Sequence, residues 1–210
     1  MENKLYNRRT FVSGLAMSSL GMDAVASAGN SLFTPMADEG NINHIGPKEG
    51  FTPLIGTLIS MLDWVSNSVI QYNSKLSVEG LDYLHDHDSN TIGSLILHVA
   101  ATEVIYQDIT FHGLTDFSSA NKSKWNAAME LGENARKEIK GNPLSYYKDA
   151  IDEVRATTKA EMKKRNDKWL LSGETKEWNW NNYCKWFHVT EHYANHRGQM
   201  TWYAKRIPKR

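Results

Sequence analysis

From residue 52 onward the apolar residues recur mostly at helical spacing. Leu54, Ile55, Leu58, Met61, Leu62, Val65 and Val69 form one stripe. It follows Thr52-Pro53, a capping residue with proline at the first helical position. Residues 74–87 read as a connection, with Leu81 and Leu84 packing beneath it. A second helix is predicted from roughly Asn90 to Phe111, capped within Asp88-Ser89-Asn90 and ended by Gly113. It is apolar on most sides (Ile92, Leu95, Ile96, Leu97, Val99, Ala100, Val104, Ile105), which places it centrally in the domain.

A third helix follows Asn142-Pro143 and runs to about Trp169. Leu144, Tyr147, Ile151, Val154 and Met162 form its inner side. Lys148, Asp149, Asp152, Arg155, Lys159 and Glu161 read as its solvated face. The run from about Asn181 to Ile207 has no proline and predicts a fourth helix. Between helices two and three lies a long polar stretch, Leu114 to Gly141, with a helical turn near residues 125–130; such a length suits a lid or rim. No strand is expected, save a short one around Thr175–Trp180. The predicted fold class is all-α, a four-helix bundle with one long connection.

The first residues read differently. Asn7-Arg8-Arg9-Thr10-Phe11-Val12 precedes a modestly hydrophobic run to Met22, and Ala26-Ser27-Ala28 offers small residues for cleavage. The pattern resembles a twin-arginine export signal over residues 1–28, with Asn7 where serine or threonine is common. The expected location is periplasmic or secreted. The apolar run is too short to span a bilayer, so no membrane association is expected once the signal is removed. Residues 29–50, rich in Gly, Asn and Pro, read as a linker, which leaves 51–210 as one domain with room for a core.

Charge changes little in this picture. The chain has 24 basic and 24 acidic residues, so neither nucleic acid nor an anionic membrane surface is indicated as a partner. Its single cysteine, Cys184, rules out an internal disulfide.

Histidine placement supplies the candidate chemistry. On the fourth helix His188, His192 and His196 follow at four-residue steps. Neighbours in that series share a face, and two imidazoles one turn apart can hold a transition-metal ion at roughly 2.0–2.1 Å. Each step drifts about 40° around the helix, so His188 and His196 differ by roughly 80° and all three do not suit one ion. Spacing leaves His188/His192 and His192/His196 equally open. A further ligand must come from elsewhere, and His98, inside the apolar second helix, is the best candidate. Three buried imidazoles without partners are costly, whereas coordination satisfies one nitrogen of each.

Phe187 to Met200, with its H-x3-H-R-G-Q element (His192, His196, Arg197, Gly198, Gln199), resembles the last helix of the DinB/YfiT-like superfamily. Ile92 to Glu103 is similar to that family's second helix, and the resemblance extends from about Thr52 to Pro208. It implies a four-helix bundle holding a divalent metal, zinc or nickel, on His98, His192 and His196. Three protein ligands with one open position is the arrangement of a catalytic site. The resemblance therefore implies a hydrolase or a thiol-dependent transferase acting on a small molecule, and it assigns no catalytic residue. The alternative is a non-catalytic bundle that binds a metal or ligand; a helical module without metal is a third reading.

Neighbouring residues complete the expectation. His188 lines the mouth or supports a ligand. Glu103 is an interhelical or supporting partner, or else a surface residue. Arg197 and Gln199 fix packing and hydrogen bonds at the helix end. Glu191 points away from the ligands, and Cys184 reads as a buried thiol. His85, His87 and His112 read as solvated. Trp178, Trp180 and Trp186 serve as core and as walls of the pocket over the metal, which suits an apolar substrate. Export favours hydrolysis over thiol transfer, because small thiols concentrate in the cytoplasm. The oligomeric state stays open, a homodimer paired through helix faces being a form such bundles often take.

Overall fold

The computed structural model describes residues 40–208, so the predicted export signal and most of the predicted linker lie outside the described residues. Eight helices occupy the described residues, and no strand occurs among them. They are α1 (Pro53–Tyr72), α2 (Val78–Leu81), α3 (Ile92–His112), α4 (Ser119–Glu130), α5 (Gly132–Glu138), α6 (Leu144–Met162), α7 (Asp167–Leu170) and α8 (Asn182–Ala204).

The four long helices form a ring in which α1 and α3 each pack against both α6 and α8. Its interior is filled from all four sides: Leu58 and Leu62 from α1, Leu95 and Ile96 from α3, Tyr147 and Ile151 from α6, and Trp186 and Tyr193 from α8 are almost fully buried. α1 is long and apolar enough to cross a membrane by composition. Here its stripe (Ile55, Leu58, Ile59, Leu62, Val69) is buried in this core instead.

Helix ends follow local chemistry. Thr91 caps α3 by accepting from Ser94 N at 3.1 Å, one residue beyond the cluster expected to do so. Gly113 ends α3 with φ 69°, a left-handed turn that glycine adopts without strain. Asn181 caps α8 through Cys184 N at 2.8 Å. Thr52 sits at the start of α1 as expected, but the donors there are satisfied by Asp167 of α7. Its Oδ1 accepts from Leu54 N at 3.1 Å, Ile55 N at 3.2 Å and the Thr52 hydroxyl at 2.5 Å.

Several expectations fail for physical reasons. The polar stretch between helices two and three folds into α4 and α5, because Trp125, Ala128 and Ala135 give it enough apolar residues to cover α3. The third helix stops at Met162; Asn166 then starts the separate α7 by accepting from Trp169 N at 3.0 Å. The segment around Thr175–Trp180 is a turn closed by Thr175 N to Trp178 O at 2.9 Å. Leu84 is exposed while Leu81 is buried. Arg155 leaves the charged outer face and points into the ring, 4 % exposed.

Part of the stretch read as linker lies against α1. Gly46 N donates to Ser60 Oγ at 3.1 Å and Lys48 pairs with Asp63 at 3.1 Å. Gly56 permits this approach, since a Cβ there would overlap the Lys48 backbone nitrogen.

Candidate metal centre

α3 and α8 run side by side, and their contact brings His98 against His192 and His196. One ring nitrogen from each falls within 4.8 Å of the others. Ring centroids lie 5.0 Å apart for His98–His192, 4.7 Å for His98–His196 and 4.4 Å for His192–His196. Residue 188 is outside the cluster, as the helical drift requires.

The hydrogen bonds around the trio set its tautomers. His98 Nδ1 lies 3.0 Å from the Ala128 carbonyl in the last turn of α4. A carbonyl only accepts, so Nδ1 carries the proton and Nε2 presents a lone pair. His196 Nδ1 stands 2.9 Å from Gln199 Oε1, which fixes the same tautomer. His192 Nε2 faces His98 Nε2 at 3.0 Å. Without a cation, His192 can satisfy only one neighbour by donating a proton; a cation satisfies all three nitrogens together.

The donor set fits a divalent transition metal. Nitrogens bound at ~2.0–2.1 Å with a tetrahedral angle are about 3.4 Å apart; here His98 Nε2 and His192 Nε2 are 3.0 Å apart and the whole trio lies within 4.8 Å. Imidazole nitrogens suit zinc and nickel, and ligand histidines held through the opposite nitrogen are the usual supported form. Electrostatics agree. Burial, with the neighbouring His196, pushes His98 down to about 4. Burial and the other histidines push His192 down to about 3, and burial lowers His196. All three are therefore neutral at pH 7, as ligands must be.

Beneath the trio lies an ion pair that the sequence reading missed. Glu103, fully buried, receives Arg155 Nε at 2.8 Å and Nη2 at 2.7 Å. Thr158 donates to the same carboxylate at 2.6 Å and the Tyr193 hydroxyl at 3.0 Å. Glu103 is thus an interhelical partner rather than a surface residue, joining α3, α6 and α8. Burial alone would lower the Arg155 pKa, but the Glu103 charge and hydrogen bonds raise it instead. A signal for Arg155 existed in the register. It stands four residues after Ile151 and three before Thr158, both buried, so its position belongs to the inner stripe.

The other expected residues separate into two groups. Gln199 bonds to His196 of the trio. Arg197 points away to α1, donating to Ser68 Oγ at 2.7 Å and lying over Trp64 and Tyr72. His188 flanks the trio one turn before His192: its ring centroid is 5.5 Å from that of His192, and its Nδ1 pairs with Glu191 at 2.9 Å. Tyr106, Trp178 and Trp180 continue the ring contacts outward from His188. Trp186 is core, stacked on Phe111. Cys184 is exposed, not buried, because its side of α8 faces away from the ring. His85, His87 and His112 are exposed; His85 packs edge-on against Trp202.

Two comparisons bear on this arrangement. A model of the mycothiol-S-transferase family matches residues 57–203. A crystal structure of a protein from Streptococcus pneumoniae superposes with a TM-score of 0.56 at 18% identity, over 73% of this chain and 92% of that one, which is a likeness of fold. No protein of curated function matches the sequence.

Proposed function

Because this chain belongs to the mycothiol-S-transferase family, a DinB-like family, we propose that it is a divalent-metal-dependent enzyme joining a small thiol to an electrophile. The observation that carries this reading is the convergence of three neutral imidazoles from α3 and α8. The reading treats the ring of α1, α3, α6 and α8 as the four-helix bundle of that family. It assigns His98, His192 and His196 as ligands of zinc or nickel. Such an ion supplies Lewis acidity, lowering the pKa of a thiol or of water and polarising a carbonyl.

The chain's own residues do the rest. The Ala128 carbonyl and Gln199 hold the ligand tautomers. His188, oriented by Glu191, keeps Nε2 free at the mouth to take the proton of an incoming thiol. Tyr106, Trp178 and Trp180 give the substrate an apolar wall and limit water at the reacting group.

Hydrolysis is the second reading, favoured by the Arg8-Arg9 leader, since an exported protein meets few small thiols. We propose that the chain is exported on that pattern.

The test is metal analysis of the purified protein, followed by assays on electrophiles and esters with and without added thiol. Near-stoichiometric metal, thiol-dependent product and loss of both in His98→Ala support the first reading. Ester cleavage indifferent to thiol selects the second. A His98→Ala variant that only melts earlier leaves a binding protein, and less than about half an equivalent of metal in wild type overturns all metal readings.

A further inference from the structure

The edge of the helix ring between α1 and α6 lies opposite the edge that carries the histidine trio. There, residues from 40–51 lie along α1 and, with residues of α1 and α6, line a cavity of about 940 Å³. That volume is in the range of small-molecule sites. None of His98, His192 and His196 lines it.

Its lining has two parts. Ile42, Phe51 and Ile70, which keep exposed surface, supply apolar walls. The charged side chains are unevenly matched: Lys48, Lys148, Arg155, Lys159 and Lys163 face Glu49, Asp63 and Asp152. Lys148 and Asp152 pair with each other. Asp63, 14 % exposed, is held by three cations: Lys48 at 3.1 Å and Lys159 at 2.9 Å on Oδ2, and Arg155 at 3.3 Å on Oδ1. Arg155 is also matched from behind by Glu103. Counting Glu103 with the lining still leaves the positive charge in excess, although the chain as a whole is balanced. Lys163 lies over the Phe51 ring, 5.5 Å from its centroid, at the junction of the charged and apolar parts.

We propose that this cavity is a second ligand site, separate from the metal centre, that binds a small organic anion with an apolar body. The acid group meets Lys48, Lys159 and Lys163, whose surplus charge Asp63 does not neutralise. The hydrocarbon part lies on Ile42, Phe51 and Ile70. Lone hydrophobic molecules lack the first contact, and inorganic anions lack the second.

The probe is 8-anilinonaphthalene-1-sulfonate, titrated by fluorescence into the full chain, metal-free and metal-loaded. One saturable site is expected, with the same affinity in wild type and His98→Ala. Lys163→Glu should weaken it about fivefold or more, the effect of reversing one charge contact. Ile70→Trp, which narrows the apolar part of the cavity and leaves the charges in place, should weaken it by a comparable factor. Octanoate should displace the probe at lower concentration than 1-octanol. Melting curves run beside each titration, so probe bound to unfolded protein is not counted. No saturable binding in wild type overturns the proposal. So does binding indifferent to both Lys163→Glu and Ile70→Trp, or binding that disappears with His98→Ala. The readout does not use turnover, so a failure here leaves the reading of the histidine site intact.

Discussion

Arg155→Met should be among the most damaging single substitutions in this protein. Arg155 and Glu103 side chains are 5 % and 0 % exposed, and two hydrogen bonds of 2.7 and 2.8 Å join them. Removing the guanidinium leaves a carboxylate without contact with water. Thr158 and Tyr193 still donate to it, but neither carries a positive charge. Breaking a buried pair this way costs about 3–5 kcal/mol, against a total stability of ordinary domains near 5–15 kcal/mol. For a domain of this size the corresponding fall in melting temperature is roughly 6–20 °C. Asp63 also loses a partner, but it keeps Lys48 and Lys159, so its contribution is small.

Urea denaturation followed by circular dichroism measures the effect. The double variant Arg155→Met/Glu103→Leu is the control that separates charge from packing. With both charges gone, no carboxylate is stranded, but the buried Tyr193 hydroxyl loses its acceptor, so stability should recover to about 1–3 kcal/mol below wild type, above that of Arg155→Met. A loss under about 1 kcal/mol for Arg155→Met refutes the reasoning, because it means that Glu103 finds water or takes up a proton without penalty.

Gln199→Ala removes the group that fixes His196, and should weaken metal binding 10–100-fold by titration while leaving the helices intact; unchanged affinity contradicts the supporting role. Gly93→Ala places a methyl where the buried Tyr147 hydroxyl lies. The clash of about 1–3 kcal/mol should outweigh a helix-propensity gain of about 1 kcal/mol, and a variant more stable than wild type in urea shows that Tyr147 moves freely. Metal-free protein should lose stability in acid. His98 and His192 titrate at about 4 and about 3 in the fold but near 6.5 when unfolded, so unfolding takes up protons below that value. Stability should be level above about pH 7 and fall steadily from about 6.5 towards 4, by up to about 1.4 kcal/mol per pH unit for each histidine. Denaturation in chelator at pH 7.5, 6 and 5 checks this, a flat profile being the contrary result.

The sequence by itself determined the helical class and most helix positions. Period-3.6 stripes such as Ile55, Leu58, Leu62, Val65 and Val69 bury one face and can be read locally. It also made His98 conspicuous in an apolar helix and put His188, His192 and His196 at four-residue steps; spacing left the pairs 188/192 and 192/196 equally open, and the family resemblance alone chose the second. Tertiary structure decided what such patterns cannot express. Whether His98 reaches α8 depends on how α3 and α8 pack, and that depends on side chains far apart in the chain. Arg155 looked solvated because charge suggests exposure; Glu103, 52 residues away, with Asp63 at its other side, makes its burial tolerable. The stretch 114–141 looked like a loop because its composition is polar, yet Trp125, Ala128 and Ala135 suffice once α3 offers an apolar surface to cover. Its Ala128 carbonyl, which sets the His98 tautomer, is a backbone group, and no residue type announces where a carbonyl will point.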